Sequence, residues 1–397
     1  MSFVEPSGKA RPWAKLGAGL LCSLMSACVP GVPAQGQPPA PEPAPPPAMA
    51  RASAAMLSAP QASQPRPPAW MPVPRVQGRL TEKDIGLVIN TADPYSVEVG
   101  EYYMRARKHA PAQVLRLALP VRSSLTPEEF RAFDHSVTSH FGASVQGLAL
   151  AWVQPYAVNC NSITGAIALG YDGDLCKQSC AAPLRHSPYF NSPSTRPYSD
   201  LGVRASMLLA APDATAAKAM IDRGVASDRS QGLRGGPAAK AYFVRTPDAL
   251  RSVRSALFPP AGRQPRLGID VRVETTEALE DVDQVLIYMT GMAQVQKLDR
   301  VKWLPGALAD HLTSYGGVLE GGTGQMSAMA WIASGATASF GTVSEPCAHV
   351  QKFPHPQLLL LHYAQGSTAL EAYWKSVAWP QQGVFIGEPL AAPFSRR

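Results

Sequence analysis

A serine and a histidine lie close together in the C-terminal half of the chain, in the run LPGALADHLTSYGG. Ser314 follows His311 by three residues and Asp310 by four. A serine becomes a nucleophile only when a base takes its proton, so this spacing suggests a serine-dependent hydrolase. On a strand, however, residues three apart point to opposite faces. The pair would meet only if the backbone turned at Thr313, and a serine that caps the following turn is the favoured interpretation.

A second polar cluster consists of Glu345, Cys347 and His349, which follow the small-residue run GATASFGTV. A thiolate–imidazole pair of Cys347 and His349 is one interpretation. In an oxidising compartment a cysteine is more often half of a disulfide, and we favour that interpretation for Cys347. Glu345 precedes a proline, where it is as plausible a cap as an acid or a ligand group.

Three further cysteines, Cys160, Cys176 and Cys180, lie in one segment rich in Ser and Pro. With Cys347 they make an even number, which suggests two disulfides and leaves three connectivities open. We expect Cys347 to pair with a cysteine of the 160–180 segment. A zinc site with four cysteine ligands is the alternative. Because Cys176 and Cys180 are four apart, wider than the usual gap, no metal site is predicted.

Polar residues also follow the first predicted strand, at Asn90, Asp93 and Ser96. Ligand sites of α/β folds often begin at such a position. The helix that starts near Pro94 has free amides that suit an anion, although a plain N-cap is the default role of Asp93. The chain contains no GxGxxG or Walker pattern, so we predict no nucleotide cofactor.

The elements that must position these residues alternate along the chain. Strand runs separated by helix patterns give the order β-α-β-α-β from residue 84 onward, which predicts a mostly parallel sheet with helices on both faces. The predicted strands of this sheet include 85–90, 145–153, 283–290 and 336–343. In such an α/β, Rossmann-like sheet, Thr290, which ends the apolar run VDQVLIYMT, and Ser314 lie at the carboxyl edge with Asn90 and Asp93. A helix is predicted over 247–257 and a surface insertion over about 160–200.

Residues 1–28 resemble an export signal, with a basic start and an apolar stretch that is too short to span a bilayer. The run MSAC resembles the lipobox of bacterial lipoproteins, in which Cys28 is acylated and becomes the first residue. An ordinary cleaved signal is the alternative. Two acyl chains hold a protein stably on a membrane, so we expect an anchored lipoprotein that faces the periplasm. We expect it at the outer membrane, because Val29 replaces the aspartate that favours retention in the inner membrane.

Residues 29–78 are rich in Pro and Ala and are expected to form an extended tether. The single folded domain is predicted over 79–394, followed by a basic tail at 395–397. The chain has a formal net charge of +7, but eight of its 36 Lys and Arg and two of its 29 Asp and Glu lie outside the domain. The domain therefore has 28 basic and 27 acidic residues, and we predict no nucleic-acid partner.

Several runs, among them NTADPYSVEVGEYYMRARKHAPA, CNSITGAIALGYD and FIGEPLAAPF, resemble an uncharacterised family of exported bacterial proteins. This resemblance covers residues 84–394 and implies no activity. The C-terminal half also resembles the sheet of the caspase, legumain and gingipain cysteine peptidases. In that resemblance VLIYMTGMAQ is the strand that ends in the catalytic His-Gly, GALADHLTSYGG is the strand that ends in the catalytic Cys, and GEP at 387–389 is the closing motif.

The two catalytic positions depart from the peptidase pattern, since Thr290 stands in place of the histidine and Ser314 in place of the cysteine. A threonine cannot act as a base near neutral pH. The resemblance therefore implies a degenerate, non-catalytic domain that binds a peptide or a glycan at the same edge. The alternative is a serine-dependent hydrolase that uses Ser314, His311 and Glu345.

Overall fold

The computed structural model describes residues 69–232 and 236–396. The predicted signal segment, Cys28 and most of the predicted tether lie outside this range. All of the described residues belong to one compact unit. No helix among them is long and apolar enough to cross a membrane.

The strands are short at the start of the chain and longer after residue 238. They are β1 (Ile85–Asn90), β2 (Val114–Leu117), β3 (Ser124–Leu125), β4 (Gly147–Leu150), β5 (Ala157–Val158), β6 (Asn161–Ser162), β7 (Ala205–Leu208), β8 (Ala239–Arg245), β9 (Gly262–Gln264), β10 (Ile269–Thr275), β11 (Val282–Thr290), β12 (Val301–His311), β13 (Ala338–Thr342) and β14 (Gly383–Gly387). The helices are α1 (Pro94–Ala106), α2 (Pro127–His140), α3 (Ile163–Leu169), α4 (Pro197–Leu201), α5 (Ala214–Ser227), α6 (Met329–Ser334), α7 (Pro356–Ala364) and α8 (Ala369–Ser376).

Eleven strands form one large sheet in the order β2-β1-β4-β7-β14-β13-β12-β11-β8-β10-β9, and β3, β5 and β6 form a small separate sheet. Neighbours in the large sheet are parallel except for the pairs β13–β14 and β9–β10. The predicted mostly parallel α/β fold is confirmed, and all four strands named above belong to this sheet. Every residue of β1, β4, β7, β13 and β14 is buried, as expected for central strands covered on both faces.

The antiparallel pair β13–β14 divides the large sheet into two halves that run in opposite directions. Strands β1, β2, β4, β7 and β14 point one way, and strands β8, β10, β11, β12 and β13 point the other. The sheet therefore has two carboxyl edges, one at each end. We call the end at which β8 and β10–β13 terminate the Ser314 edge.

Side-chain caps fix the starts of several helices where the sequence predicts them. The Asp93 carboxylate accepts a hydrogen bond from Tyr95 N at 3.0 Å, and Pro94 occupies the first turn of α1. Thr126 and Glu129 form a reciprocal capping box at the start of α2. Such caps satisfy amides that have no partner within the helix.

Two predicted features differ from the structure. The segment 160–200 is not wholly a surface insertion, because all seven residues of α3 are buried. A Cβ on Gly165 would lie 2.7 Å from the Gln381 backbone, so the helix packs closely against the segment before β14. The predicted helix over 247–257 is reduced to a 3-10 turn at Ser252–Leu257. Ser252 Oγ accepts from Thr246 N at 3.1 Å, which competes with a regular helix.

The last part of the predicted tether lies along α7. Gln357 accepts from Met71 N at 2.6 Å and donates to Ala69 O at 3.3 Å. Gln365 accepts from Val76 N at 3.1 Å and donates to Pro74 O at 3.2 Å. Each glutamine side-chain amide thus bonds to a backbone carbonyl and to the backbone N–H two residues later, in the way that the backbone of a neighbouring strand would. We call residues 69–76 the strap.

Candidate functional site

The Ser314 edge brings together most of the predicted site residues. Thr290 ends β11, His311 ends β12, and the two are direct neighbours in the parallel register. Ser314 lies in the turn after β12. Glu345, Cys347 and His349 follow β13, which ends at the same edge.

Asn90 and Asp93 lie at the opposite end of the sheet, which corrects the expectation of a single shared edge. Both follow β1, whose half of the sheet runs against the half that contains β12. Their side chains have structural partners. The Asn90 amide donates to Leu119 O and accepts from Leu119 N, and Asp93 is the cap of α1.

His311 is fully enclosed and uses both ring nitrogens. Its Nδ1 accepts a hydrogen bond of 2.9 Å from the Trp331 indole. An Nδ1 that accepts carries no proton, so Nε2 carries it and donates to Met326 O at 3.0 Å. Burial lowers the pKa of His311 to about 4, with the Met326 bond opposing and the charges of Arg254 and Arg251 assisting. The imidazole is neutral near pH 7 and has no free nitrogen for Ser314.

Ser314 lies half-buried in a turn that its own backbone stabilises. Its carbonyl accepts a hydrogen bond of 2.9 Å from Thr342 Oγ1. Across the described ranges 69–232 and 236–396, its hydroxyl has no hydrogen-bond partner, so the predicted pairing with His311 is not formed. The turn continues into Gly317, whose added Cβ would lie 2.6 Å from Gly341 O. Glycine is required here because two backbone segments touch.

Thr290 is also enclosed, and a buried ion pair lies beside it. Arg254 Nη2 donates to Thr290 O at 2.9 Å and lies 2.5 Å from Asp310 Oδ1. The latter contact is an ion pair rather than an aligned hydrogen bond, because within the described residues neither Asp310 oxygen has a donor in hydrogen-bonding geometry. Burial raises the pKa of Asp310, and the Arg254 guanidinium opposes that rise. The carboxylate therefore serves Arg254 and is not available to His311 or Ser314.

Cys347 forms a disulfide with Cys180, and Cys160 forms the other with Cys176. The predicted link between Cys347 and the 160–180 segment is confirmed, and the thiolate–imidazole interpretation is wrong. His349 instead has its ring 5.9 Å from that of Trp379.

Glu345 has the capping role that the sequence left open. Its Oε1 accepts from Cys347 N at 2.7 Å. The backbone of Cys347 and of Ala348 has positive φ, so this cap stabilises a tight turn at the disulfide. The carboxylate is thereby engaged by the backbone.

Three residues at this edge were missed by the sequence analysis. Gln325 Oε1 accepts from the Thr313 hydroxyl and from Tyr315 N. Arg251 Nε donates to Thr313 Oγ1 at 3.1 Å. These contacts join residues 10 to 62 positions apart. No local pattern in the sequence reveals them.

Lys352 is the third missed residue and lies deep beside the disulfide. Its Nζ donates to Ser179 O at 2.5 Å. Burial lowers its pKa to about 8, and the Glu345 charge opposes the change. Its bond to Ser179 gives the ammonium a structural partner next to Cys180.

The described part of the chain has no group of three or more His, Cys, Asp or Glu side chains arranged to hold a metal ion. No family model matches the chain, and no curated protein matches it. These comparisons thus add no support to the resemblance to an uncharacterised exported family.

Two solved structures are similar to the protein, both of the gingipain RgpB. One is a complex of the pro- and mature domains of Porphyromonas gingivalis RgpB, with 10% sequence identity and a TM-score of 0.38 over 79% of this chain and 80% of that chain. The other is the Arg-specific cysteine proteinase gingipain R, also with 10% identity and a TM-score of 0.38, over 81% of this chain and 80% of that chain.

Proposed function

We propose that this protein is a non-catalytic lipoprotein of the cell envelope whose α/β domain binds a peptide or a glycan at the Ser314 edge. The observation that carries the proposal is the state of His311. Both of its ring nitrogens are engaged by Trp331 and Met326, so the His311 imidazole has no free nitrogen with which to activate Ser314.

The other groups of the edge support the same conclusion. Cys347 is bonded to Cys180, so its thiol is not available as a nucleophile at this edge. Thr290 stands where the peptidase resemblance expects a base, and its hydroxyl donates to Val244 O at 3.4 Å. His311, Thr290, Glu345 and Cys347 thus each have a structural task, which leaves the Ser314 hydroxyl without an activating partner and favours binding over catalysis.

The surface of the edge supports a binding role. Arg251 and Tyr315 are half-buried. Beside them Leu250 is 76% exposed, and its neighbour Arg251 has its backbone against Gly291. Aromatic, apolar and hydrogen-bonding groups in one place are typical of surfaces that bind peptides and sugars.

The location rests on the sequence of the leader. The run MSAC and the Pro-rich segment after it favour acylation of Cys28 and a tether that holds the domain away from the membrane. The bilayer would then be a partner through the lipid anchor, with the outer membrane as the proposed site.

Catalysis is tested by a fluorophosphonate and peptide-substrate screen of the full chain. Wild type is compared with Ser314→Ala and with the control Ser144→Ala, which changes an exposed serine in the turn before β4. We expect no labelling that depends on Ser314. Labelling lost in Ser314→Ala alone, with the fold retained, would replace the proposal by a serine hydrolase.

Binding is tested by titration with a peptide library and with short glycan oligomers. Tyr315→Ala is expected to weaken binding at least tenfold, whereas Tyr102→Ala, a half-buried tyrosine on α1, is expected to leave it unchanged. Equal affinity of both variants, or no ligand in either library, contradicts a binding role for this edge.

A further inference from the structure

A cleft lies at the end of the sheet opposite to Ser314. It has a volume of about 800 Å³ and is lined by the strap, the loop after α5, the residues before β10, the end of α7 and the C-terminal segment. The residues before β10 mark the amino end of that strand, whereas Ser314 follows the carboxyl end of β12. This cleft is therefore independent of the function proposed above.

Five arginines from four chain segments line this cleft, and none of its lining residues is acidic. We call it the arginine cleft. Its arginines are Arg75, Arg79, Arg229, Arg266 and Arg396. The domain as a whole has almost equal numbers of basic and acidic residues. The concentration of positive charge is therefore local, and it is not explained by an excess of basic residues over the domain surface.

The cleft arginines lack carboxylate partners in the described part of the chain. Fourteen ion pairs occur there, and none includes any of the five. The acidic residue next to Arg229 is Asp228, whose carboxylate contacts Arg107 at 2.6 Å and accepts from Ala392 N. Like charges gathered without a counter-charge repel one another, and an anion removes that cost.

Backbone contacts hold the walls of the arginine cleft in place. Arg229 N donates to Ala392 O at 3.2 Å, and Gln231 N donates to Pro393 O at 3.0 Å, which fixes the α5 loop on the C-terminal segment. The Gln365 amide holds the strap on either side of Arg75. Because these walls are already ordered, less conformational entropy is lost when a ligand binds.

We propose that the arginine cleft is a binding site for a ligand that carries two or more phosphate groups. Guanidinium forks match phosphate oxygens in pairs of hydrogen bonds. A cavity of about 800 Å³ is within the range of small-molecule sites and is far larger than one phosphate requires. Four separate segments supply the arginines, so several phosphates can be contacted together.

The test uses the full chain with Cys28→Ala, so that no acyl chain contributes to binding. Calorimetry measures the binding of inorganic tripolyphosphate. Sedimentation measures the binding to vesicles of phosphatidylglycerol, with vesicles of phosphatidylcholine as the uncharged comparison. Binding of tripolyphosphate without vesicle binding identifies a soluble phosphorylated ligand. Binding of phosphatidylglycerol vesicles that tripolyphosphate competes away identifies a lipid headgroup. Both results support the site, and both should weaken as salt is added.

Matched charge variants locate the binding. Arg75→Gln with Arg266→Gln removes two exposed arginines of the cleft, and Arg105→Gln with Arg263→Gln removes two exposed arginines outside it. We expect at least a tenfold rise in Kd for the first pair and less than twofold for the second. Equal effects of the two pairs, or a wild type that binds neither probe, overturns the proposal. The Tyr315→Ala variant should bind tripolyphosphate as the parent does.

Discussion

The indole Nε1 of Trp331 donates a 2.9 Å hydrogen bond to Nδ1 of His311, from the helix that follows the Ser314 turn. This contact fixes the imidazole as the neutral tautomer with its proton on Nε2. It also places the ring among buried aromatic side chains, with its centroid 5.8 Å from that of Trp331. His311 therefore serves to join β12 to α6.

The enclosed His311 predicts a loss of stability in acid. Its pKa is about 4 in the folded protein and near 6.5 when exposed, so the unfolded chain takes up a proton that the folded chain does not. The unfolding free energy should fall as the pH drops from 6.5 towards 4, by about 3 kcal/mol from this residue.

The measurement is urea unfolding at several pH values for wild type and His311→Gln. Three other histidines, His109, His355 and His362, also have pKa values lowered by burial, so the difference between the two proteins is what reports on His311. The variant should lose less stability between these pH values. Parallel curves would show that His311 does not titrate as proposed.

Removal of one partner from the buried pair of Arg254 and Asp310 should destabilise the fold far more than removal of one partner from an exposed ion pair. Asp310→Asn leaves a buried guanidinium without its counter-charge and should cost about 3–5 kcal/mol of unfolding free energy. Asp283→Asn, which breaks the exposed pair with Lys240, should cost less than about 1 kcal/mol.

Replacement of both partners of the buried pair gives the decisive comparison. Arg254→Met with Asp310→Leu should recover much of the loss, because no unpaired charge remains. Chemical denaturation of the single and double variants measures these differences. A double variant as unstable as Asp310→Asn would mean that the pair is worth more than its desolvation costs.

Gly341 should be intolerant of any side chain. A Cβ there would lie 2.2 Å from Gly316 C and 2.4 Å from Gly317 N, which are backbone atoms that cannot move aside easily. Gly341→Ala is expected to lower the unfolding free energy by about 1–3 kcal/mol or more. Gly142→Ala is the control, because its Cβ would have no atom within 4 Å. Equal melting temperatures for the two variants would contradict the close approach of these turns.

The two disulfides should differ in their effect on stability. Cys180–Cys347 joins residues 167 apart, whereas Cys160–Cys176 joins residues 16 apart. In the chain-entropy model, removal of the first should cost about 5 kcal/mol and removal of the second about 3 kcal/mol. Paired Cys→Ser variants and thermal unfolding test the order, and non-reducing peptide maps should show both linked peptides. A larger loss from the short loop would contradict the entropic account.

Acylation of Cys28 is tested by palmitate labelling. Wild type should incorporate label and fractionate with the membrane, whereas Cys28→Ala should do neither, because the acyl chains attach through this residue. Cys160→Ala is the control, since it also removes one cysteine. Equal label in all three proteins rules out the lipoprotein.

The sequence predicted the sheet well because buried strands and helix caps are local signals. The strand in the run VDQVLIYMT and the helix cap at Thr126 can be predicted from neighbouring residues alone, without knowledge of distant contacts. Strand direction is different, since nothing within GVFIG shows that β14 runs against β13. Because the strand direction reverses between β13 and β14, Asn90 and Asp93 lie at the end of the sheet opposite to Ser314.

The candidate site was less predictable because its contacts are long-range. The partners of His311 lie 15 and 20 residues further along the chain. The cleft arginines are spread from Arg75 to Arg396, and only the fold gathers them. The pairing of Cys347 was predictable in part, because four domain cysteines allow only three connectivities.

The glutamine pairs that hold the strap also determine how the domain responds to tension. A pull on the chain before Ala69 would load the hydrogen bonds to Gln357 and Gln365 before any strand of the sheet, because the strap precedes β1. Release of residues 69–76 would add about 25 Å of reach. It would also remove Arg75 from the arginine cleft, so a ligand bound as proposed above would oppose the extension, and tension on the chain would weaken the binding of that ligand.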